Sequence, residues 1–265
     1  MMIFFGTFNS SANAATPIQV LSLATAALGF KISHKKMSWA MTQLEILGIK
    51  LDFMAQTASI TSEHQQCILQ SCSQVLHQGR ASLLELQQIA GHLQFVMHIA
   101  PHGHAFLHWL YNAVQAHYKA PFGRCISKPT RDELSWWIST LQSWDSISLL
   151  QPSPLLVAHI WTDTSKRCIG AHLGTMDNPE AVFSHELARR HHHKDIHFLK
   201  ALAVLEVLQC FSPLWTSPRC VVVHVNNKNV EYGLKKGSIR NAQTQVLFQV
   251  IFSLCLQHHI NLILV

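Results

Sequence analysis

Residues 1–60 combine one helical pattern with strand-like alternation. The stretch IQVLSLATAALGF carries apolar residues at helical spacing, and Gly29 near its end is typical of a helix stop. Further on, LEILGIKLD (44–52) alternates apolar and polar residues, and the strand-like TASI (57–60) follows it. These two stretches predict a β-hairpin with a neighbouring strand.

Residues 61–150 follow a helical period. Three times a Ser or Thr precedes a Glu or Gln by three residues ahead of an apolar run, which is typical of a capped helix start. The pairs are Ser62 with Gln65, Ser82 with Glu85, and Thr130 with Glu133. The turn sequences APHG and APFG bracket a further helix, predicted between 104 and 118. A helical region is therefore expected here.

The pattern changes after QPSP (151–154), which is the best candidate for a domain boundary. Residues 151–265 begin with three strand-like runs. A helix at 197–210, the strand RCVVVHV at 219–225, a helical stretch at 241–257 and the strand INLILV follow. This order predicts a mixed α/β domain.

One carboxylate stands at the end of the first strand of this domain. Asp163 follows the apolar run LLVAHIW. An ionised carboxylate beside a buried strand is costly unless a charged group lies against it. Three roles stay open for Asp163: a metal ligand, a partner for a lysine, or a cap on the strand end.

The order of elements around Asp163 resembles a ribonuclease H-like domain. The resemblance implies that carboxylates on the first strand, the following helix and the fourth strand bind two Mg²⁺ ions for phosphodiester cleavage. Asp163 matches the first position, but the stretches IHFLK and VHVNN place Lys200 and Asn226 at the others. Glu206, further along the helix, is predicted to point elsewhere. The family's last aspartate lies beyond the strand in which this chain ends, at Val265.

The upstream sequence resembles a reverse transcriptase from the palm onward. FFGTF, ALGFKISHKK, LEILGIKLD and LLELQQIAGHLQF carry the resemblance. It implies that Lys35 or Lys36 corresponds to the palm lysine, and the hairpin at Gly48 to the primer grip, as nucleic-acid-binding positions. It also implies an aspartate pair ahead of FFG, whereas the first acidic residue here is Glu45. No polymerase metal site is therefore expected at the start.

The two resemblances together predict an α+β fold over the whole chain. They imply a palm remnant at 1–60, a helical thumb and connection at 61–150, and a ribonuclease H-like domain lacking its C-terminal end at 151–265. The group resembled is the DIRS-like, tyrosine-recombinase retrotransposons, so we expect a truncated, degenerate and catalytically inactive copy. No metal cofactor is expected in place of the family's Mg²⁺.

Two alternatives to the inactive-enzyme hypothesis stay open. One is a non-catalytic module that binds an RNA–DNA hybrid or another nucleic acid. The other is a scaffold subunit whose protein partner is an intact element enzyme. Salt-dependent binding would favour the first alternative, and co-purification with a full-length element protein would favour the second.

The amino-acid composition indicates which partners and which cellular location are compatible with these hypotheses. Of the 265 residues, 48% are hydrophobic and 13% are charged, so the core is ample but the isolated chain is expected to be poorly soluble. The net charge of +6 permits a polyanionic partner. Apolar runs fall short of the roughly 18 residues of a membrane helix, and no signal peptide is apparent. We therefore expect an intracellular protein, in cytoplasm or nucleus, without a membrane partner.

Histidine is over-represented, with 19 residues. The cluster RRHHHKD (189–195) lacks regular metal-ligand spacing and is predicted to be a solvated loop rather than a metal site. Glu to Lys, Asp to Asn and Arg to His each follow from a G-to-A change in the codon. One mutational process therefore accounts for Lys200, Asn226 and the histidine excess, and predicts a G-to-A bias against sibling copies of the gene.

Overall fold

A computed structural model describes residues 15–30, 41–118, 124–143, 146–148, 157–175, 177–217 and 219–265. The fold is α+β, as the sequence predicts. The helices are α1 (Ala15–Ala27), α2 (Ser62–Gln78), α3 (Leu83–Val96), α4 (His108–Tyr118), α5 (Lys128–Ser143), α6 (Ile196–Phe211), α7 (Lys228–Lys236) and α8 (Ala242–Gln257). A 3₁₀ helix, Pro101–Leu107, leads into α4.

The strands form three sheets. They are β1 (Gln43–Ile46), β2 (Ile49–Asp52), β3 (Thr57–Ile60), β4 (Arg80–Ala81), β5 (Arg124–Cys125), β6 (Ile147–Ser148), β7 (Val157–Thr164), β8 (Cys168–Gly174), β9 (Pro179–Glu186), β10 (Arg219–Val225) and β11 (Ile260–Leu264). The candidate boundary at 151–154 lies outside the described residues.

Strands β1, β2 and β3 form an antiparallel meander. The turn between β1 and β2 is Leu47–Gly48, and both residues have positive φ, 52° and 81°. Such a two-residue turn matches the right-handed twist of a hairpin, so the predicted hairpin is confirmed. β6 pairs with β3, which means that residues from the predicted helical stretch complete this sheet.

Of the first two predicted capping pairs, the structure confirms one and contradicts the other. Ser82 with Glu85 is confirmed, because Glu85 N–H donates to Ser82 Oγ at 3.3 Å and Ser82 N–H donates to Glu85 Oε2 at 2.8 Å. Ser62 with Gln65 is wrong, since α2 has no side-chain cap. The Gln65 amide instead donates to the carbonyl of Leu141, on α5. A tertiary contact has replaced the local one.

The third predicted capping pair, Thr130 with Glu133, is also wrong. Thr130 lies inside the first turn of α5, and its N–H donates to Ser127 Oγ at 3.3 Å. The buried carboxylate of Glu133 accepts the N–H groups of Trp109 and Leu110 at 3.0 and 2.9 Å. Glu133 therefore caps the start of a different helix, α4, and sequence spacing does not reveal such a partner.

The largest sheet has five strands in the order β11-β10-β7-β8-β9. β7, β8 and β9 are antiparallel neighbours, β10 is parallel to β7, and β11 is parallel to β10. The predicted mixed α/β arrangement is confirmed for the described residues of 151–265. Sequence reasoning missed α7, which follows β10 directly.

Helix α6 packs against one face of the five-stranded sheet. In β7 the buried residues alternate with exposed ones, because successive side chains of a strand point to opposite faces. Ala158, Ile160, Thr162 and Thr164 are the buried members. α6 is buried on nearly all sides because β7 lies against it on one side and α8 packs on it as well. The opposite face of the sheet stays open to solvent.

The helical region and the five-stranded sheet share one hydrophobic core. Gln245 of α8 donates to the carbonyl of Ala105 at 2.9 Å, and Gln249 donates to Glu133 Oε1 at 3.0 Å. Trp136 Nε1 donates to Ser253 Oγ at 3.1 Å. These buried polar contacts fix α8 against the 3₁₀ helix and α5.

Among the described residues, the stretch Ile196–Leu214 is the one helix long and apolar enough to cross a membrane by length and composition. Within this fold 67% of its apolar window is buried against other parts of the protein. Such burial is what a core helix of this length shows.

Candidate functional site

Asp163 and Asn226 lie side by side at one end of the five-stranded sheet. β7 and β10 are parallel, and Trp161 pairs with His224 and Thr162 with Val225. Asp163 is the next residue of β7, and Asn226 directly follows the end of β10. Because strand side chains alternate, Asp163 belongs to the face opposite α6. Asp163 and Asn226 border the same groove, which places two of the three predicted positions together.

Lys200 reaches this end of the sheet from α6. Its side chain is 9% exposed, whereas that of Asp163 is 73% exposed, and Lys200 Nζ donates to Asp163 Oδ1. Thr164 N–H donates to the same oxygen at 2.7 Å. The hydrogen bond from Lys200, assisted by Thr164, holds the pKa of Asp163 below its usual value against partial burial. Of the three roles left open for Asp163, the structure shows the pairing with a lysine, Lys200.

Asn226 and its neighbour Asn227 have different surroundings. Asn227 is the N-cap of α7, and its Oδ1 accepts the N–H groups of Asn229 and Val230, each at 3.1 Å. The His197 ring lies 3.1 Å from the same oxygen, which ties the start of α6 to the start of α7. Asn226 is exposed at the groove. Sequence reasoning missed the structural role of Asn227, although an Asn ahead of a helix is a common cap.

Glu206 lies away from Asp163. Its Oε2 is 2.6 Å from Nδ1 of His185 on β9. The prediction that Glu206 does not replace the missing carboxylate agrees with this contact. Of the carboxylates in the sequence prediction, Asp163 is therefore the one at the strand ends.

Basic side chains border the same end of the sheet. Lys166 and Arg167 form the exposed turn between β7 and β8. Arg189 and Lys194 belong to the segment that leads into α6, and this segment is fixed to the turn because Leu187 N–H donates to the carbonyl of Arg167 at 2.6 Å. Two acidic side chains also lie at this edge: Glu186 lines a pocket with Arg167 and Arg189, and Asp195 caps α6. Because Lys200 neutralises Asp163, basic side chains still outnumber the other acidic ones here.

The RRHHHKD segment is anchored by its histidines rather than freely solvated. The His191 ring stacks near Phe198, with centroids 5.9 Å apart, and a His192 ring nitrogen lies 2.9 Å from the carbonyl of Leu187. In the part of the chain that the structure describes, no group of three or more His, Cys, Asp or Glu side chains is arranged to hold a metal ion.

Of the positions that the resemblance assigns to nucleic-acid binding upstream, the structure describes Gly48. Lys35 and Lys36 lie outside the described residues. Gly48 lies in the turn between β1 and β2, where an added Cβ would be 3.6 Å from the rings of His64 and Phe95. Gly48 belongs to the four-stranded sheet and Asp163 to the five-stranded one, so they form separate parts of the fold.

No family model matches this chain. No curated protein matches it. Distant matches exist among solved structures of foamy viral protease-reverse transcriptase, each at 14% sequence identity. The complex with RNA/DNA hybrid has a TM-score of 0.44 and is matched over 98% of this chain and 34% of that chain.

Two further matches come from the same viral protein. The dRH form in complex with ds DNA has a TM-score of 0.40, over 98% of this chain and 44% of that chain. The complex with dsDNA has a TM-score of 0.37, over 95% and 51%. The chain thus spans between about a third and about a half of the length of these proteins.

Proposed function

We propose that this chain is a degenerate reverse transcriptase–ribonuclease H fragment that binds nucleic acid without cleaving it. The source we propose is a DIRS-like retrotransposon, which the order of motifs supports. The ion pair between Lys200 and Asp163 carries the proposal, because an ammonium lies where the resemblance implies a carboxylate. Asn226 beside it supplies an uncharged amide.

These side chains do not fit a divalent metal ion. Mg²⁺ binds oxygen ligands, and carboxylates supply the charge that holds it. Here the carboxylate of Asp163, the ammonium of Lys200 and the amide of Asn226 sum to zero charge. Each unit charge about 4 Å from an ion is worth about 4 kcal/mol at an effective dielectric of about 20.

The loss of charge decides against metal binding. Three carboxylates would carry three negative charges, so the substitutions cost an ion on the order of 10 kcal/mol before solvent screening. Even a third of that weakens binding more than about a hundredfold. Hydrolysis of a phosphodiester through metal-activated water is therefore not expected from this chain.

Nucleic-acid binding does not require the missing carboxylates. Lys166, Arg167 and Arg189 are exposed beside the strand ends, and Asp163 adds no unpaired negative charge. Phosphate contacts from Lys and Arg supply most sequence-independent affinity and make it depend on salt. The net charge of +6 acts in the same direction. We therefore propose binding through this basic edge.

The test compares the wild type with the double variant Lys200→Glu, Asn226→Asp. Titration calorimetry with Mg²⁺ and Mn²⁺ should give no binding to the wild type and measurable binding to the variant. Binding of nucleic acid by the wild type, whether single strand or hybrid, should persist in chelator and weaken as salt rises. Hybrid cleavage by the variant is expected to be weak, since the resemblance implies a further carboxylate.

The matched control is Lys128→Glu with Asn178→Asp, which makes the same change in net charge at exposed positions elsewhere. This control should bind metal no better than the wild type. Equal metal affinity of the wild type and the Lys200→Glu, Asn226→Asp variant would show that these positions do not form the proposed site.

A further inference from the structure

The face of the five-stranded sheet opposite α6 is exposed. Side chains on this face include Val157, Trp161, Val182 and Ile263, which are 39%, 41%, 72% and 42% exposed. Large apolar side chains clustered on one exposed face mark a binding surface more often than a purely solvated one. The chemistry of the cluster can therefore indicate what binds there.

One row of side chains crosses this face perpendicular to the strands. His224 of β10 pairs with Trp161 of β7, Trp161 pairs with His172 of β8, and His172 pairs with Val182 of β9. Directly opposed residues of neighbouring strands point to the same face, so the register makes these side chains neighbours. Three aromatic rings lie in succession on adjacent strands.

The three rings are nearly parallel. Trp161 and His224 stack face to face with centroids 3.6 Å apart and planes 4° apart. Trp161 and His172 are also close to parallel, at 15°, but their centroids are 6.2 Å apart. His224 therefore covers one face of the indole. His172 lies on the other side of β7, with a wider separation between its ring and the indole.

The separation between the His172 ring and the indole is close to the space that a planar ring needs. Bases stack at about 3.4 Å, so a base between two parallel rings requires roughly twice that separation. His172 Nδ1 is buried without a hydrogen-bond partner among the described residues, so a ligand with a polar edge could satisfy it.

The row opens into a groove of about 820 Å³ that continues to the strand ends. Asp163 and Asn226 border the groove, and an added Cβ at Gly170 would meet nothing within 4 Å, so there is free space beside Asp163. Asp163 is the only ionised side chain of the lining, and Lys200 neutralises it. A chain of phosphates would therefore meet no unpaired carboxylate side chain here.

The charges near the groove also suit an anion. Burial, with the neighbouring His159 and His172, lowers the pKa of His224, so its ring is neutral at pH 7 and stacks as an uncharged ring. Lys166 and Arg167 follow β7 in the turn beyond Asp163. Aromatic rings in the groove and cations at its end match the bases and the phosphates of a nucleic acid strand respectively.

We propose that the row His224–Trp161–His172 is a base-stacking site for single-stranded nucleic acid. Unpaired bases can leave their own stack and lie on aromatic side chains, whereas the bases of a duplex are already stacked on one another. The proposal rests on the nucleic-acid binding proposed above and adds the form of its ligand. The open face selects a single strand over a duplex.

The experiment measures fluorescence anisotropy of a labelled oligothymidylate of about 12 nucleotides, which suits the usual site sizes. The same strand annealed to its complement is the duplex probe. Trp161→Leu should weaken single-strand binding about tenfold or more, because stacking of one base on an aromatic ring has that magnitude. Trp161→Phe should stay within about threefold of the wild type, because it keeps a ring.

Trp215→Leu is the matched control, since Trp215 is a half-buried tryptophan at the opposite end of β10, beside Arg219. It should bind the oligonucleotide as the wild type does. Unchanged binding by Trp161→Leu, or a duplex bound as tightly as the single strand, would overturn the proposal. So would a wild-type dimer that Trp161→Leu dissociates, because a second copy would then cover the face.

The stacking site and the proposed loss of the metal site fail separately, whereas a wild type that binds no nucleic acid would overturn both the stacking site and the proposed nucleic-acid binding. Metal titration does not involve Trp161, so Trp161→Leu should match the wild type in calorimetry whatever the oligonucleotide result. Metal binding by the wild type would contradict the proposed loss of the metal site without affecting the stacking result. A lack of effect at Trp161 would remove the stacking site and leave the metal argument as it stands.

Discussion

Asp163 and Glu133 are both acidic residues that the sequence singles out, and the protein surrounds them in opposite ways. The side chain of Asp163 is 73% exposed, and an ammonium holds its pKa below the usual value. Glu133 is 2% exposed, and burial raises its pKa to about 7 although three N–H donors reach its oxygens.

The difference follows from what each carboxylate contacts. Asp163 ends a strand beside a groove and has one buried lysine partner. Glu133 lies between α4, α5 and α8, where it accepts from Trp109, Leu110 and Gln249. An exposed carboxylate with a cation is available for binding chemistry, whereas one that satisfies buried donors is needed for the fold.

The largest expected effect is on stability at Glu133. Glu133→Ala leaves the N–H groups of Trp109 and Leu110 buried without an acceptor, and each such group costs about 1–3 kcal/mol. The free energy of unfolding at pH 7, measured with urea, should fall by about 3 kcal/mol or more. Glu133→Gln keeps one acceptor oxygen and should lose less stability than Glu133→Ala. Equal losses in both variants would contradict this role.

The pH dependence of stability should identify Glu133 as well. Folded Glu133 keeps its proton up to about pH 7, whereas the unfolded side chain loses it near the ordinary value of 4.5. The folded state therefore binds more protons between these values, and the free energy of unfolding falls as pH rises through this window. The contribution is at most about 3 kcal/mol.

Urea unfolding of the wild type and of Glu133→Gln at several pH values between about 4.5 and 7.5 measures this slope. The free energy of unfolding should depend less steeply on pH in Glu133→Gln than in the wild type, because Gln does not titrate. A wild-type slope that the variant reproduces would assign the dependence to other groups.

Replacing Asp163 should lower the free energy of unfolding more than replacing its partner Lys200. Asp163→Asn leaves the buried ammonium of Lys200 without its anion, and we expect a loss of about 1–2 kcal/mol after allowing for solvent. Lys200→Met replaces the buried stem by an apolar one and leaves Asp163 in water, so it should cost less than about 1 kcal/mol. Thermal or urea unfolding at pH 7 gives the order, and the reverse order would contradict it.

The smallest effect is expected at the two consecutive asparagines. Asn227→Ala removes the N-cap of α7 and should cost about 1 kcal/mol. Asn226→Ala should cost less than about 0.5 kcal/mol, because Asn226 is exposed. Comparing both variants by urea unfolding separates a structural asparagine from one that only borders the groove. A larger loss of stability in Asn226→Ala than in Asn227→Ala would show that Asn226 makes a stabilising contact.

The sequence by itself determined the order of the longer helices and strands, with α7 missed, and the strand end at which Asp163 lies. The apolar runs that become β7 and α6 are local properties of the sequence, so they can be recognised without the fold. That Lys200 lies against Asp163 followed from the ribonuclease H-like resemblance, which places both residues at ligand positions of one site.

Only the tertiary structure decided which partner each polar side chain takes. Gln65 and Glu133 match local capping patterns, yet both bind groups on other helices, because a buried donor or acceptor at close range outweighs an exposed terminus. The row of His224, Trp161 and His172 is equally invisible in sequence. These residues come from different strands, and the register that aligns them is set by packing of the opposite face of the sheet on α6.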